Sequence, residues 1–431
     1  MTKRRPFWWE IKESLVPLRT QKFPKLADFV IVGGGYTGLS AGLTIAKQGR
    51  SVVVLDSGKP GLGASTRNGG ICSGQIRVSH GMLSKRFGEE FANEAYAEGI
   101  EARLDLAKFC KEEQIDCKFQ MTGRFTGAMS FRDYEIQSRE VERLNKIDGH
   151  KAQMVTREDQ RKEISTDLFF GGMIRDEIGG FHPAKFFAGL LSCAEKAGAI
   201  VISETPVLEI NDISEGKKSV VTSKGIIKSG KVIIATNAYT GTQYGIGKFL
   251  RKRLVPAKSA IIVTEKLGVK KVKAIMPKLR MYGDSSNLYS YFRPTPDQDR
   301  ILLGSRGFDK HDVSERTEKY LKRKLTQIFP ELFDCKVEYC WHGNVGFTRA
   351  QLPVIFEHKD IFYAAGYAGS GTVWARWLGK KAAETAMGIS NKNSIFYGPP
   401  PLKIPFYDGN PWFLPFVQYY YAMKDWIKVR R

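Results

Sequence analysis

The sequence predicts an α/β chain: a parallel sheet wound with helices, interrupted by an inserted α+β domain with a mainly antiparallel sheet. Three observations lead there. Residues 28–33 (DFVIVG) are a short apolar run bounded by glycines, as a strand buried on both faces would be. Residues 37–48 carry apolar side chains at helical spacing and stop at Gly49, a natural helix terminator; residues 51–56 (SVVVLD) form the next strand. Together these make one βαβ unit. The third observation lies between 254 and 308, where β-rich segments alternate with turns.

Along the rest of the chain, 84–115 reads as one long charged helix and 131–148 as another. Residues 183–197 form a third helix, ending before Gly198, and 315–328 and 371–387 form two more. Further strands are expected at 199–203, 218–223, 231–236, 337–347 and 361–365. Strands of the first kind occur near both ends, so the second domain is inserted rather than appended. The expected division is an arm at 1–26, a discontinuous nucleotide-binding domain at 27–80, 150–245 and 335–390, a substrate domain at 81–149 and 246–334, and a tail at 391–431. In the arm, Phe7, Trp8 and Trp9 are expected to pack on the body.

The chain has 431 residues, 42% of them hydrophobic, enough for a sizeable core. No run reaches the roughly 18–20 apolar residues of a membrane span, and the start lacks the apolar stretch of a signal peptide. A cytoplasmic protein is expected. The six cysteines form no CxxC pair; Cys335 and Cys340, with His342 nearby, do not complete a metal site, so no metal is expected. The net charge of +22 comes from 67 basic against 45 acidic residues. The basic residues are scattered and no nucleic-acid module is present, which argues against a nucleic-acid partner. A solvated basic surface, an anionic membrane surface and an anionic substrate all remain open.

Gly33, Gly35 and Gly38 form GxGxxG between the first strand and its helix. Gly33 permits the tight turn, Gly35 lets backbone approach a pyrophosphate, and Gly38 lets helix and strand pack closely. Tyr36 and Thr37 open the helix, whose N-terminus offers N–H groups to phosphates. Asp56, followed by Ser57, ends the second strand where a carboxylate can accept ribose hydroxyls. The unit is therefore Rossmann-type. The motif alone does not separate NAD from FAD. The next stretch, GLGASTRNGGI from Gly61 to Ile71, offers backbone donors that could wrap an inner phosphate and a flavin edge.

This pattern resembles the D-amino acid oxidase (DAO) family of FAD-dependent oxidoreductases, and is most similar to its gamma-glutamylputrescine oxidase branch. GGFHPAKFFAGL, KVIIATNAYT and FYAAGYAGSGTVWARWLGKKAAE follow in the family's order. The resemblance implies that Gly63, Ala64, Ser65, Thr66 and Arg67 lie along the phosphates and flavin, with Asn68, Gly69, Gly70 and Ile71 continuing the wall. It implies that Val207 meets the adenine and that Thr236 and Asn237 close the cleft. Gly343 would flank the flavin, and Gly369, Ser370, Gly371 and Thr372 would sit at its pyrimidine end. A glycine-rich turn opening a helix would there stabilise negative charge on the reduced ring.

In some relatives a Cys or His tethers the flavin. Here Gly343 and about Arg67 fall at those positions, so non-covalent FAD is expected. Where glycine oxidase relatives carry a carboxylate-binding Arg, this chain has about Val345, and Ala350 and Gln351 replace a usual D-G pair. An alkylamine, or an amine with a remote carboxylate as in gamma-glutamylputrescine, fits better than a simple α-amino acid. Arg293 and Arg349 are candidates for an anionic group, His342 and Tyr367 for positioning roles at the ring. His182, before a helix-opening proline, reads as structural. The implied chemistry is hydride transfer from a primary or secondary amine to flavin N5, hydrolysis of the imine, and reoxidation by oxygen or a quinone. A membrane-associated dehydrogenase and a non-catalytic FAD-binding partner are the rival readings.

Residues 399–431 lie beyond most of the resemblance. They begin with a proline run and turn amphipathic, aromatic and basic from Phe413. Packing on the body or a second subunit, as in a homo-oligomer, suits them, and so does peripheral contact with the inner face of a membrane.

Overall fold

Alternate side chains of Leu26–Val32 serve two different cores, which is why the run has no polar face. Phe29 and Ile31 point into a cluster with Leu39, Leu43, Leu190 and Leu378; Val30 and Val32 join Val53, Leu55, Val220 and Ile234 on the other face. The computed structural model describes residues 1–10, 22–213, 216–241, 247–307, 309, 313–389 and 394–429. Part of the expected arm, 11–21, and the basic residues 430–431 lie outside the described residues.

Leu26–Val32 pairs in parallel with Val52–Leu55 on one side and Gly225–Ile234 on the other. Ile200–Ile202 and Ile361–Ala365 extend the parallel sheet outward. Val354–His358 closes one edge antiparallel, and the hairpin Val207–Asp212/Lys218–Thr222 pairs with Gly225–Ile234. Helices Tyr36–Lys47, Pro183–Lys196 and Gly371–Met387 supply the Leu39, Leu190 and Leu378 side of the core.

Among the described residues the second sheet also has eight strands. Their order is Val337–Thr348, Leu254–Thr264, Ile301–Arg306, Tyr291–Pro294, Met281–Asp284, Arg124–Gly127, Gly172–Arg175 and Ala152–Val155. All neighbours are antiparallel except Met281–Asp284 with Arg124–Gly127. Helix Glu315–Ile328 packs Leu321, Leu325 and Ile328 against it.

Two expectations change. The single helix expected at 84–115 is two, His80–Phe87 and Glu89–Glu112, because Gly88 adopts φ +94° and breaks the hydrogen-bond run. The boundaries expected at 150 and 335 also move. Ala152–Val155, Gly172–Arg175 and Val337–Thr348 pair into the second sheet, since their edges bond to Arg124–Gly127 and Leu254–Thr264 rather than to the parallel strands. The helices at Pro183–Lys196, Glu315–Ile328 and Gly371–Met387 lie where their periodicity predicts.

Candidate active site

The turn between Leu26–Val32 and Tyr36–Lys47 requires its glycines for different reasons. Gly33 has φ +110°, and a Cβ there would stand 2.9 Å from Ala235 O. A Cβ on Gly38 would overlap Gly33 O, so helix and strand could not close. A Cβ on Gly35 would stand 2.9 Å from Ser65 Oγ. The helix N-terminus faces a cavity of about 530 Å³ lined by Gly33, Gly35, Tyr36, Thr37, Asp56 and Ser57. Gly34 N donates to Asp56 Oδ2 (2.8 Å) and Gly58 N to Oδ1 (2.9 Å), which hold the carboxylate at the cavity wall. Burial pushes its pKa up, and these two N–H groups pull against that.

The loop after the second strand is heavily cross-braced. Ser65 Oγ accepts from Tyr36 N, the side chain of Asn68 donates to Ala64 O and Ser65 O, and Gly70 N donates to Asn68 Oδ1. Arg67 donates through Nε to Leu62 O and through Nη1 to His342 O. Three indoles hold the loop from outside: Trp8 Nε1 to Asn68 O, Trp9 Nε1 to Thr66 Oγ1, and Trp341 Nε1 to Arg67 O. The expected packing of the arm is thus present, with Phe7 set edge-on to Trp8 and Tyr339.

A second helix start meets the same cavity. Ala368 (φ +50°) and Gly369 (φ +107°) turn the chain into Gly371–Met387, and Thr372 Oγ1 donates to Ile71 O. The two helices touch where a Cβ on Gly379 would overlap Thr37 O. Two positive helix ends therefore converge on one cavity. Asn237, at φ +43°, accepts from Gly366 N and lines the cavity with Thr236 and Val207.

A smaller cavity of about 260 Å³ shares Ala64, Asn68, Val345, Gly369 and Thr372 with the first. Arg67, Gly69, Ile71, Gly343 and Ser370 line the smaller cavity, while Gly63 and Gly371 belong to the larger one. Its far wall was not anticipated: Arg77, Arg124, Arg306, Tyr289, Tyr291 and Ser259. No local motif announces them, because they come from the segment after the Gly61–Ile71 loop and from four separate strands, and one turn, of the second sheet.

The other candidates stand elsewhere. Arg293 lines neither cavity. Its guanidinium is fully buried and donates to Gly70 O, Phe181 O and Pro294 O, which braces the Gly70 turn. Arg349 is exposed beyond the end of its strand. The backbone carbonyl of His342 receives Arg67, and its residue lines neither cavity. Tyr367 does line the larger cavity, but its hydroxyl bonds Thr37 Oγ1 (2.7 Å) and Ala364 O. Thr66 and Gly70 form the frame of the loop rather than its cavity surface. His182 caps Pro183–Lys196, accepting from Lys185 N.

These features fit a dinucleotide cofactor: a glycine turn with room for pyrophosphate, a carboxylate at the second strand end, and a second helix start on the same cavity. Residues 28–385 match the family model of FAD-dependent oxidoreductases (DAO). The chain belongs to that family. FAD is accordingly its cofactor, and its relatives are oxidoreductases of amines or amino acids. The chain is 28% identical over 402 residues to gamma-glutamylputrescine oxidoreductase of Escherichia coli K12, covering 92% of both chains. Among solved structures, glycine oxidase from Geobacillus kaustophilus superposes with a TM-score of 0.73 at 20% identity, over 86% of this chain and 96% of that one. L-proline dehydrogenase from P. horikoshii gives 0.71 at 22%, over 86% and 96%. These two share the fold.

Proposed function

We propose that this chain holds FAD non-covalently and oxidises the C–N bond of a primary or secondary amine, either an alkylamine or an amine with a remote carboxylate, like that named for its gamma-glutamylputrescine relative. The carrying observation is the second cavity, which joins the first at Gly369 and Thr372, where a substrate would meet the flavin end of the dinucleotide site. Among the described residues no cysteine lines either cavity. Cys340 sits opposite Ile262 inside the second sheet, its thiol pushed up to about 12 by burial.

Bound FAD supplies a hydride acceptor at N5. The chain's own residues do the rest. The N-terminus of Gly371–Met387 presents positive dipole toward negative charge on the ring. Tyr289 and Tyr291 wall the substrate cavity with aromatic surface, which excludes water and favours the neutral amine. Water then hydrolyses the released imine to a carbonyl compound and ammonia or a smaller amine. The test is anaerobic mixing with a panel of amines: the flavin band should bleach with a substrate, and a panel that leaves it unbleached would sink the reading. Denatured protein should release all its yellow chromophore.

A second reading concerns the acceptor. Among the described residues no helix is long and apolar enough to cross a membrane. The tail helix Leu414–Val429 nevertheless exposes Phe416, Tyr419, Tyr420 and Trp426. That surface suits a membrane interface and hence a quinone acceptor. Flotation with anionic vesicles, compared with the chain ending at 398, tests it: no difference between the two removes the membrane reading.

A further inference from the structure

Three arginines crowd the smaller cavity without an acidic partner. Among the described residues, no carboxylate comes within ion-pair distance of Arg77, Arg124 or Arg306. Arg124 makes one side-chain bond, from Nη1 to the neutral Gln75 Oε1 (3.0 Å), and its buried Nε has no acceptor. Arg77 and Arg124 lie over the ring of Tyr289, and Arg306 over that of Phe347. The nearest acid acting on Arg77 and Arg124 is Asp284, whose Oδ1 is already taken by Ser286 N and Ser290 N.

Burying like charges together is unfavourable unless something compensates them. Arg124 is buried and Arg306 half-buried, while Arg77 reaches the surface; burial, with repulsion from Arg175 and Arg77 on Arg124 and from Arg77 on Arg306, pulls both down to about 10. All three still carry charge at neutral pH. A structure that gathers three cations around one cavity, with no carboxylate in ion-pair reach among the described residues, is organised for an anion supplied from outside.

We propose that Arg77, Arg124 and Arg306 bind a carboxylate at the end of the substrate remote from its reacting C–N bond. This rests on the amine reading above and decides between its two substrate classes, the alkylamine and the amine with a remote carboxylate. The arginines belong to the smaller cavity alone, whereas Val345, Gly369 and Thr372 mark its junction with the larger one. The anionic end and the reacting end are therefore separated along the cavity. An α-amino acid, with its carboxylate one bond from the reacting carbon, does not span that separation; an ω-amino acid or an acylated diamine with a terminal carboxylate does. The same cations disfavour an ammonium nearby, which helps the amine arrive neutral.

The test uses the FAD-loaded full chain and two probe pairs. In calorimetry, glutarate should bind and its neutral diamide should not, and Arg306→Gln or Arg77→Gln should weaken glutarate at least tenfold. In turnover, 5-aminopentanoate should exceed pentylamine in kcat/KM by tenfold or more, and Arg306→Gln should collapse that ratio mainly through KM. Should the glutamine variant not fold, Arg306→Lys keeps the charge without the planar fork and should give an intermediate loss. Glutarate and diamide binding alike, or a ratio untouched by Arg306→Gln, overturns the proposal. If pentylamine is oxidised as well as 5-aminopentanoate, the amine reading survives and the anion site falls. If glutarate binds through the arginines while no amine bleaches the flavin, the anion site stands and the amine reading falls.

Discussion

Trp8 donates from its indole nitrogen to the carbonyl of Asn68 at 2.8 Å, from a side chain with no exposed surface. Asn68 lines both cavities, so Trp8, which lines neither, braces the loop that does. Trp9 reinforces it, donating to Thr66 and lying under the Arg67 guanidinium at 4.8 Å.

Trp8→Phe should keep most of the packing and lose one hydrogen bond, about 1 kcal/mol. Trp8→Ala should lose about 3–5 kcal/mol as a large buried ring is emptied. Both should weaken FAD, the alanine variant far more. Thermal denaturation and fluorescence of released flavin measure the two effects together. A Trp8→Ala protein with unaltered flavin affinity would show that the arm is only packing.

Gly379 decides how closely the two helix starts converge. In an isolated helix, Gly→Ala stabilises by about 1 kcal/mol. Here the new Cβ would overlap Thr37 O, and overpacking of that kind costs about 1–3 kcal/mol or more. Overpacking wins, so Gly379→Ala should lower Tm and weaken FAD although Gly379 lines neither cavity. An unchanged flavin Kd with a raised Tm is the contrary outcome.

Acid should loosen the same region through His182. Burial, with Lys185 and Arg293 adding to it and Asp116 opposing, lowers its pKa to about 4 from an ordinary 6.5. The unfolded chain then binds the proton more readily, so the contribution is fully present above about 6.5 and is lost as pH falls toward 4. The window holds at most about 3 kcal/mol by the conversion of 1.4 kcal/mol per pH unit. The ring packs edge-on against Trp8, with centroids 4.9 Å apart, so flavin release should accompany the loss. Unfolding free energies measured from pH 7 to 4 should slope less in His182→Asn than in the parent. Equal slopes would place the acid sensitivity elsewhere.

The first βαβ unit was legible because its determinants are local. Gly33, Gly35 and Gly38 sit within six residues and answer to one turn, and Asp56 ends the very next strand. The glycine-rich loop from Gly61 to Ile71, which lines both cavities, was legible for the same reason. The far wall of the smaller cavity was not. Arg77, Arg124 and Arg306 become neighbours only when Arg124–Gly127 and Ile301–Arg306 take their places in one sheet, and strand patterns do not say which edges pair. Arg293 shows the converse. A lone arginine in a strand reads as a candidate ligand, yet its three carbonyl partners come from positions as distant as 70 and 181. Without those distances in view, a brace and a binding residue look alike. Gly88 was visible as a glycine, but its positive φ depends on the two helices it separates.

The tail reaches this wall through Asp425. Its carboxylate accepts from Asn287 N and Nδ2 at 2.8 Å and from Leu288 N at 2.9 Å, immediately before Tyr289. One turn earlier, Tyr421 is close enough to Arg77 and Arg306 to act on the charge of both. Gln418 completes the attachment at Gly307 O. The outer face of the helix is exposed, so these polar contacts, rather than apolar burial, hold it down. Charge-assisted bonds of this kind contribute about 1.5–3 kcal/mol each before the cost of ordering the helix. Asp425→Ala should therefore free the helix without unfolding the body. The wall at Tyr289 would then loosen, raising KM for a carboxylated amine severalfold while kcat changes less. Faster amide exchange across 285–291 and 414–429, with unchanged exchange in Tyr36–Lys47, should accompany it. If KM rises with no change in exchange, the tail acts through charge alone, and Asp425→Asn should reproduce the effect.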